Sequence, residues 1–416
     1  MLKLSTLNRP LRLAFYAFSI VFSLSTIRVI ADAPDLTSIG TASSALLLSV
    51  PIALAALGGL FSERSGVVNI GLEGMMIMGA WGGGVIGCKH GPWLGLLAGI
   101  VMGALGALLH AIATVGFGVD HVVSGVAINI IAAGLARYLS TILYKSGSWV
   151  GPSQSPDIAP IPVNGLPILA GGHYFGWKSP DLFGSIASKN WFLVSDIFAI
   201  LRGLTGDLSY VTVIAIALVP LSYWFLWHTA FGLRLRSAGE APVAAESLGV
   251  NVYLMKYVGV LMSGAFAGLG GSYLAIVASN HYQENQTGGR GYIGLAALIF
   301  GNWRPGGLMA GAGLFGFSDA LQLRDATAIH ALLMLLALAM LMIAFRNLRK
   351  KRYIASLVAL FVGAAAAWLY LNVTELPGQF VTMTPYVVTL LVLGLGTQRL
   401  RMPAADGLPY RRGGIK

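Results

Sequence analysis

Ten apolar stretches, most of them long enough to cross a bilayer, leave this chain no length for a soluble core. They fall at about 13–31, 42–61, 67–88, 93–115, 121–143, 209–229, 254–278, 328–345, 353–372 and 385–398. An α-helix needs roughly 20 apolar residues to span the hydrocarbon layer, and a backbone in lipid must satisfy its own hydrogen bonds. Two half-length apolar segments, 291–303 and 306–322, flank Asn302-Trp303-Arg304-Pro305-Gly306-Gly307, a run that cannot continue as one helix. The expectation is an all-α, polytopic integral membrane protein with about 10–12 crossings. It has one broken or re-entrant helix pair, and residues 1–416 form a single transmembrane domain.

Charged residues are only 10% of the chain, yet the net charge is +11. A basic balance of this size invites a nucleic-acid reading, and its distribution argues against one. Arg346, Arg349, Lys350, Lys351 and Arg352, and the tail Arg399, Arg401, Arg411, Arg412 and Lys416, fall on one side if the N-terminus is inside. The positive-inside rule then accounts for the charge and places both termini and the 230–252 loop in the cytoplasm. Lys3, Arg9 and Arg12 before an apolar run, with Ala31-Asp-Ala33 after it, also fit a cleaved signal peptide, but a retained first span keeps the later topology consistent. The 144–207 loop then lies outside. It is rich in proline, carries Trp149, Trp177 and Trp191, and holds an apolar run, Trp191 to Leu204, too short to span and suited to an interfacial helix. It is a dock or lid, or an insertion tolerated outside the core.

The cytoplasmic elbow Gly232 to Asn251 is the most pointed feature. Pro242 suits a first helical turn, Ala244, Ala245, Ser247 and Leu248 continue it, and Gly249 stops it. Gly239 and Glu240 precede it, the carboxylate facing the positive end of the helix dipole. This is a rigid knob offered to a soluble partner, or a capped connector. Within the spans, Asn69 and Glu73 are four residues apart and share a polar stripe if one helix carries both. A buried carboxylate is costly unless partnered, so Glu73 either lines a path or bonds to a structural partner such as Arg137 or a helix terminus. Glu63 and Arg64 read as a turn pair, Asp120 and His121 as a cap. Ile70-Gly-Leu before Gly79-Ala-Trp81 echoes Ile293-Gly-Leu before Gly301-Asn-Trp303, in opposite senses across the membrane, as in an inverted repeat. Asn69, Glu73, Trp81, Asn302 and Trp303 are therefore the candidate translocation-pathway residues.

Other chemistry is missing from the sequence. Gly82-x-Gly84-x-x-Gly87 and Gly311-x-Gly313-x-x-Gly316 imitate nucleotide fingerprints but lie in apolar helical runs without a preceding strand. They read as packing glycines, as do Gly79, Gly83 and Gly87, Gly95, Gly99 and Gly103, and Gly264 and Gly268. No Gly-Lys-Ser/Thr is present and the seven histidines lack metal spacing. Catalytic and metal residues are therefore expected to be none, with no cofactor on this chain.

The elbow pattern Gly-Glu-x-Pro-x-Ala-Ala-x-x-x-Gly, at Gly239, Glu240, Pro242, Ala244, Ala245 and Gly249, resembles the coupling loop of ABC-importer permeases of the branched-chain amino acid and ribose type. Ser62-Glu-Arg-Ser-Gly-Val-Val-Asn-Ile-Gly-Leu-Glu-Gly74, the 291–303 and 315–322 runs, and Pro403-Ala-Ala-Asp-Gly-Leu-Pro-Tyr410 resemble its nucleoside and simple-sugar branch. The long 144–207 loop departs from it. The resemblance implies an ATP-driven importer that moves a nucleoside or related sugar-containing solute by alternating access. It implies separate ABC ATPase subunits that bind ATP, a second permease subunit and an extracytoplasmic substrate-binding protein. An ion-coupled secondary transporter is the alternative, though Glu73 and Asp319 are the only acids within the expected spans.

Overall fold

The computed structural model describes residues 9–143, 153–174, 176–324, 326–373, 383–390 and 400–413. The expected span at 385–398 is described only to residue 390, and Lys3, Trp149, Arg399 and Lys416 lie outside the described residues. Besides a helical stretch at 383–390, the described residues form α1 (Arg9–Ile30), α2 (Ile39–Arg64), α3 (Leu72–His90), α4 (Pro92–Ala111), α5 (His121–Leu143), α6 (Leu182–Ala187), α7 (Val194–Gly206), α8 (Tyr210–His228), α9 (Ala230–Glu240), α10 (Pro242–Ser247), α11 (Val252–Tyr273), α12 (Arg290–Phe300), α13 (Pro305–Leu321), α14 (Ala326–Arg349) and α15 (Tyr353–Asn372).

Seven described helices are long and apolar enough to cross a membrane: α2, α4, α5, α8, α11, α14 and α15, with α4 and α11 lengthened by the turns that follow them. The protein is thus an all-α polytopic membrane protein. Helix α3 falls at the position of a further expected span. Glu73 and its six glycines lower its hydropathy, and its burial in protein removes the need for a lipid-facing apolar surface. Helices α12 and α13, of 11 and 17 residues, are the broken pair.

The chain forms two compact units. The first comprises residues 1–46, 164–208 and 317–387. In it α14 packs along α15, and Ile27, Leu36, Leu321, Ala328 and Ile329 form a small apolar core. The apolar run expected at the interface becomes α7, which is pinned by a buried charge. Asp196 accepts from Ser25 Oγ, from Thr37 Oγ1 at 2.5 Å and from the Leu193 amide at 3.2 Å, and pairs with Arg28 at 3.1 Å. A buried carboxylate persists only when its acceptor sites are filled in this way.

The second unit comprises residues 47–163, 209–316 and 388–416. Helices α3, α4 and α11 pack most extensively, backbone against backbone. A Cβ on Gly103 would lie 2.2 Å from the Gly264 carbonyl oxygen, one on Gly268 2.3 Å from that of Gly99, and one on Gly79 2.3 Å from that of Gly268. The glycine periodicity is therefore a packing seam. Both α4 and α11 end in five-residue π-turns, Ile112–Gly116 and Leu274–Ala278, a repeat-like relation between the two. The echoed tripeptides sit differently: Ile70-Gly-Leu leads into α3, while Ile293-Gly-Leu lies within α12.

Candidate functional site

The elbow is two helices rather than one. Thr229 caps α9 by accepting the Gly232 amide at 3.0 Å, and Gly232 is needed because a Cβ would lie 2.2 Å from the Phe225 carbonyl oxygen. Arg236 donates to the Leu226 carbonyl at 2.9 Å, filling an open acceptor at the end of α8. After Ala241 the chain restarts at Pro242 as α10, with Leu248 as its C-cap and Gly249 at φ +80°, the left-handed stop that glycine favours. Ala245 is buried, whereas Val243 and Leu248 are 63% and 85% exposed. The knob thus turns two large apolar side chains outward.

Behind the knob lies a junction. A Cβ on Gly239 would lie 2.4 Å from the Arg64 carbonyl oxygen, so the end of α9 rests directly on the end of α2. There Gly66, at φ +86°, closes α2: its amide donates to Glu63 O at 2.9 Å and that of Val67 to Ser62 O at 3.2 Å. Lys256 Nζ donates to Gly66 O at 2.9 Å. Glu63 and Arg64 are not the turn pair expected, because successive residues on a helix point to different neighbours. Arg64 donates to the Trp303 carbonyl at 2.8 Å and pairs with Glu240 at 3.4 Å, while Glu63 accepts the Trp303 indole N–H. Asn302 and Trp303 both sit at positive φ, 54° and 53°, a conformation that costs a bulky residue such as Trp about 1–3 kcal/mol. The surrounding bonds hold it, and Trp303 is buried.

The shared stripe expected for Asn69 and Glu73 is also corrected. Helix α3 begins only at Leu72, so the two are not on one helical face. Asn69 donates to Ser263 Oγ at 2.8 Å and accepts the Gly71 amide at 3.0 Å. Glu73 accepts the amides of Gly289 at 2.9 Å and Gly291 at 2.7 Å, at the start of α12. It stands in the first turn of α3 as well, so two helix N-termini stabilise one carboxylate. Of the two structural partners the sequence offers, it is the helix terminus that is found; Arg137 pairs instead with Glu284, at 3.8 Å. Trp81 lies farther along α3, its indole N–H donating to Ser140 Oγ at 3.1 Å. The five pathway candidates therefore divide among three places, Asn302 and Trp303 at the break, Asn69 and Glu73 at the head of α3, and Trp81 within it.

Asp120 caps α5 through the amides of Val122 and Val123, at 2.9 and 3.0 Å. His121 instead accepts the Val68 amide at 3.2 Å, and His110 lies 3.1 Å from the Val68 carbonyl oxygen. Two histidines thus serve the unwound 67–71 segment, which spacing alone does not disclose. The residues following 400 are the larger omission. Arg401 N donates to Asn302 Oδ1 at 2.7 Å, Ala404 N to Glu240 at 3.1 Å, and Ala405 N to Gly239 O at 2.9 Å. Buried Asp406 lies beside Glu63. Desolvation, then the neighbouring Glu63 charge, push its carboxyl well above the usual carboxylate range, against the pull of Lys256. The Pro403 to Tyr410 match was the only sequence signal, and it named no partner.

A model of the family described as branched-chain amino acid transport system / permease component matches residues 41–345. The guanosine ABC transporter permease protein NupQ of Bacillus subtilis is 36% identical over 375 residues, covering 88% of this chain and 95% of that protein. The nucleoside ABC transporter permease protein NupC of Lactococcus lactis is 33% identical over 373 residues, covering 88% and 94%. No solved structure was found to match. With a membrane-spanning bundle and relatives matched over almost their whole length, this chain belongs to the branched-chain amino acid transport system permease family, as the non-catalytic transmembrane subunit of an ABC importer.

Proposed function

We propose that this subunit carries a nucleoside or related sugar-containing solute across the cell (inner) membrane, and that α10 is where ATP-driven motion enters it. The observation that carries the second part is Leu248, 85% exposed on a helix otherwise braced from behind. Its neighbours Val243 and Ala244 complete the dock, while Gly239, Glu240, Pro242, Ala245 and Gly249 give it its shape. The names of the two relatives, guanosine and nucleoside permeases, support the solute class. The partners are ABC ATPase subunits, a second permease subunit, an extracytoplasmic substrate-binding protein and membrane lipid, with no nucleic acid.

In this mechanism ATPase closure displaces α10, the Gly239–Arg64 backbone contact passes the displacement to α2, and Arg64 passes it to the α12–α13 break. A packed junction of this kind moves as a unit, because close-packed elements shift between discrete arrangements instead of deforming gradually. Asn69, Glu73, Trp81, Asn302 and Trp303 serve the pathway by holding the interrupted helices that border it. Both termini and the elbow lie in the cytoplasm. This is supported by the basic runs and by the bonding of residues 401–412 to the elbow itself.

The test is Leu248→Asp in the full chain, coexpressed with its ATPase and reconstituted in proteoliposomes with labelled guanosine. The permease inserts normally, ATPase co-purification falls at least tenfold and uptake is lost. Undiminished co-purification and uptake would refute the role of α10; uptake of a free amino acid but no nucleoside would refute the solute class.

A further inference from the structure

The segment 401–412 touches every part of the coupling junction. Its first end reaches the helix break, through Arg401 N and Asn302 Oδ1 at 2.7 Å. Its middle lies against the end of α9, where Ala404 N and Ala405 N bond Glu240 and Gly239 at 3.1 and 2.9 Å. Asp406 is buried beside Glu63 of α2. Its last part grips α10: the Tyr410 hydroxyl donates to Glu246 at 2.5 Å, and Arg412 pairs with the other Glu246 oxygen at 3.0 Å. The Tyr410 ring also packs on Tyr253 at the start of α11, with centroids 5.4 Å apart. Two turn bonds, Asp406 N to Pro403 O at 3.2 Å and Leu408 N to Ala405 O at 3.3 Å, stiffen the stretch between these anchors.

A surface ion pair such as Arg412–Glu246 contributes roughly 0–1 kcal/mol, so the grip comes from the part-buried Tyr410 bond, the backbone bond to Gly239 and the burial of Asp406. Among the described residues, what holds α10 besides the segment is chiefly its covalent neighbours α9 and α11 and the burial of Ala245. A six-residue helix has little stability of its own and would yield locally under load. A helix strapped at its last turn and at the end of α9 just before it passes that load on.

We propose that residues 401–412 are a strap that fixes α10 to the end of α2 and to the α12–α13 break, and that Asp406 and Tyr410 are its positioning residues, making the strap part of the transmission between ATP hydrolysis and transport. This rests on α10 being the ATPase dock.

The test is insertion of two glycines between Leu408 and Pro409. Both residues are exposed, so folding is not at risk, and every contact residue remains present while the two anchors lose their fixed spacing. In the reconstituted complex the ATPase stays attached and ATP hydrolysis continues, while solute moved per ATP falls about three- to tenfold. Tyr410→Phe, which keeps the ring and removes only the bond to Glu246, gives a smaller fall in the same ratio. An unchanged ratio in the insertion variant overturns the strap. Leu248→Asp, run in parallel, separates the two ideas: if it leaves the ATPase attached, the fault lies in the assignment of α10; if it detaches the ATPase while the insertion is silent, only the strap is refuted.

Discussion

Replacing Glu73 by Leu removes the acceptor of two backbone N–H groups, the part-buried one of Gly289 and the buried one of Gly291, and neither gains another partner from an apolar side chain. Each unsatisfied buried donor costs about 1–3 kcal/mol, so the start of α12 loses about 2–6 kcal/mol. Loss of the charge at two helix N-termini adds to this. Glu73→Gln keeps one acceptor oxygen, so its loss is about half as large. Because about 1.4 kcal/mol is tenfold in an equilibrium constant, amide hydrogen exchange over residues 289–293 accelerates by about thirtyfold to ten-thousandfold in Glu73→Leu, and less in Glu73→Gln. Uptake falls in the same order. Full protection of 289–293 in the Leu variant refutes the capping role. Protection intact in the Gln variant with uptake abolished shows instead that the carboxylate meets the solute directly.

Glu240→Lys sets a cation against Arg64 and removes the acceptor of the Ala404 amide; uptake per ATP falls several-fold with insertion intact, and normal coupled uptake counts against the junction. Burial and Glu63 push the Asp406 carboxyl well above the usual carboxylate range, so its folded pKa lies above its unfolded one; its contribution is present below the unfolded value and is lost as pH rises through the folded one. Deprotonation sets a second carboxylate beside Glu63, with Lys256 and Arg64 the nearby cations. Protection over 401–412, corrected for the intrinsic base catalysis of exchange, therefore falls as pH rises toward about 8 in the native protein and not in Asp406→Asn; equal pH dependence in both refutes the assignment. Gly103→Val drives a side chain into the Gly264 carbonyl at 2.2 Å and abolishes monodisperse protein in size-exclusion chromatography. Gly134→Ala on α5, where a Cβ meets nothing within 4 Å, is silent.

What the sequence determined by itself was most of what has a short period. Apolar runs of bilayer length, Pro242 and Gly249 bounding α10, Asp120 ahead of α5 and the four-residue spacing of Gly95, Gly99 and Gly103 are local patterns, and local backbone physics acts on them without knowledge of the rest of the chain. The tertiary structure decided which polar groups meet. Glu63 and Trp303 are 240 residues apart, Glu73 and Gly291 218, Glu240 and Ala404 164, and no periodicity carries such pairings. Asn69 and Glu73 show the limit most plainly. Their spacing fits one helical face, but the amides of α12 and the hydroxyl of Ser263 offered better partners, and α3 starts between them. In a protein interior polar groups must be satisfied wherever the fold brings a partner, so the chemistry of the junction belongs to the packing.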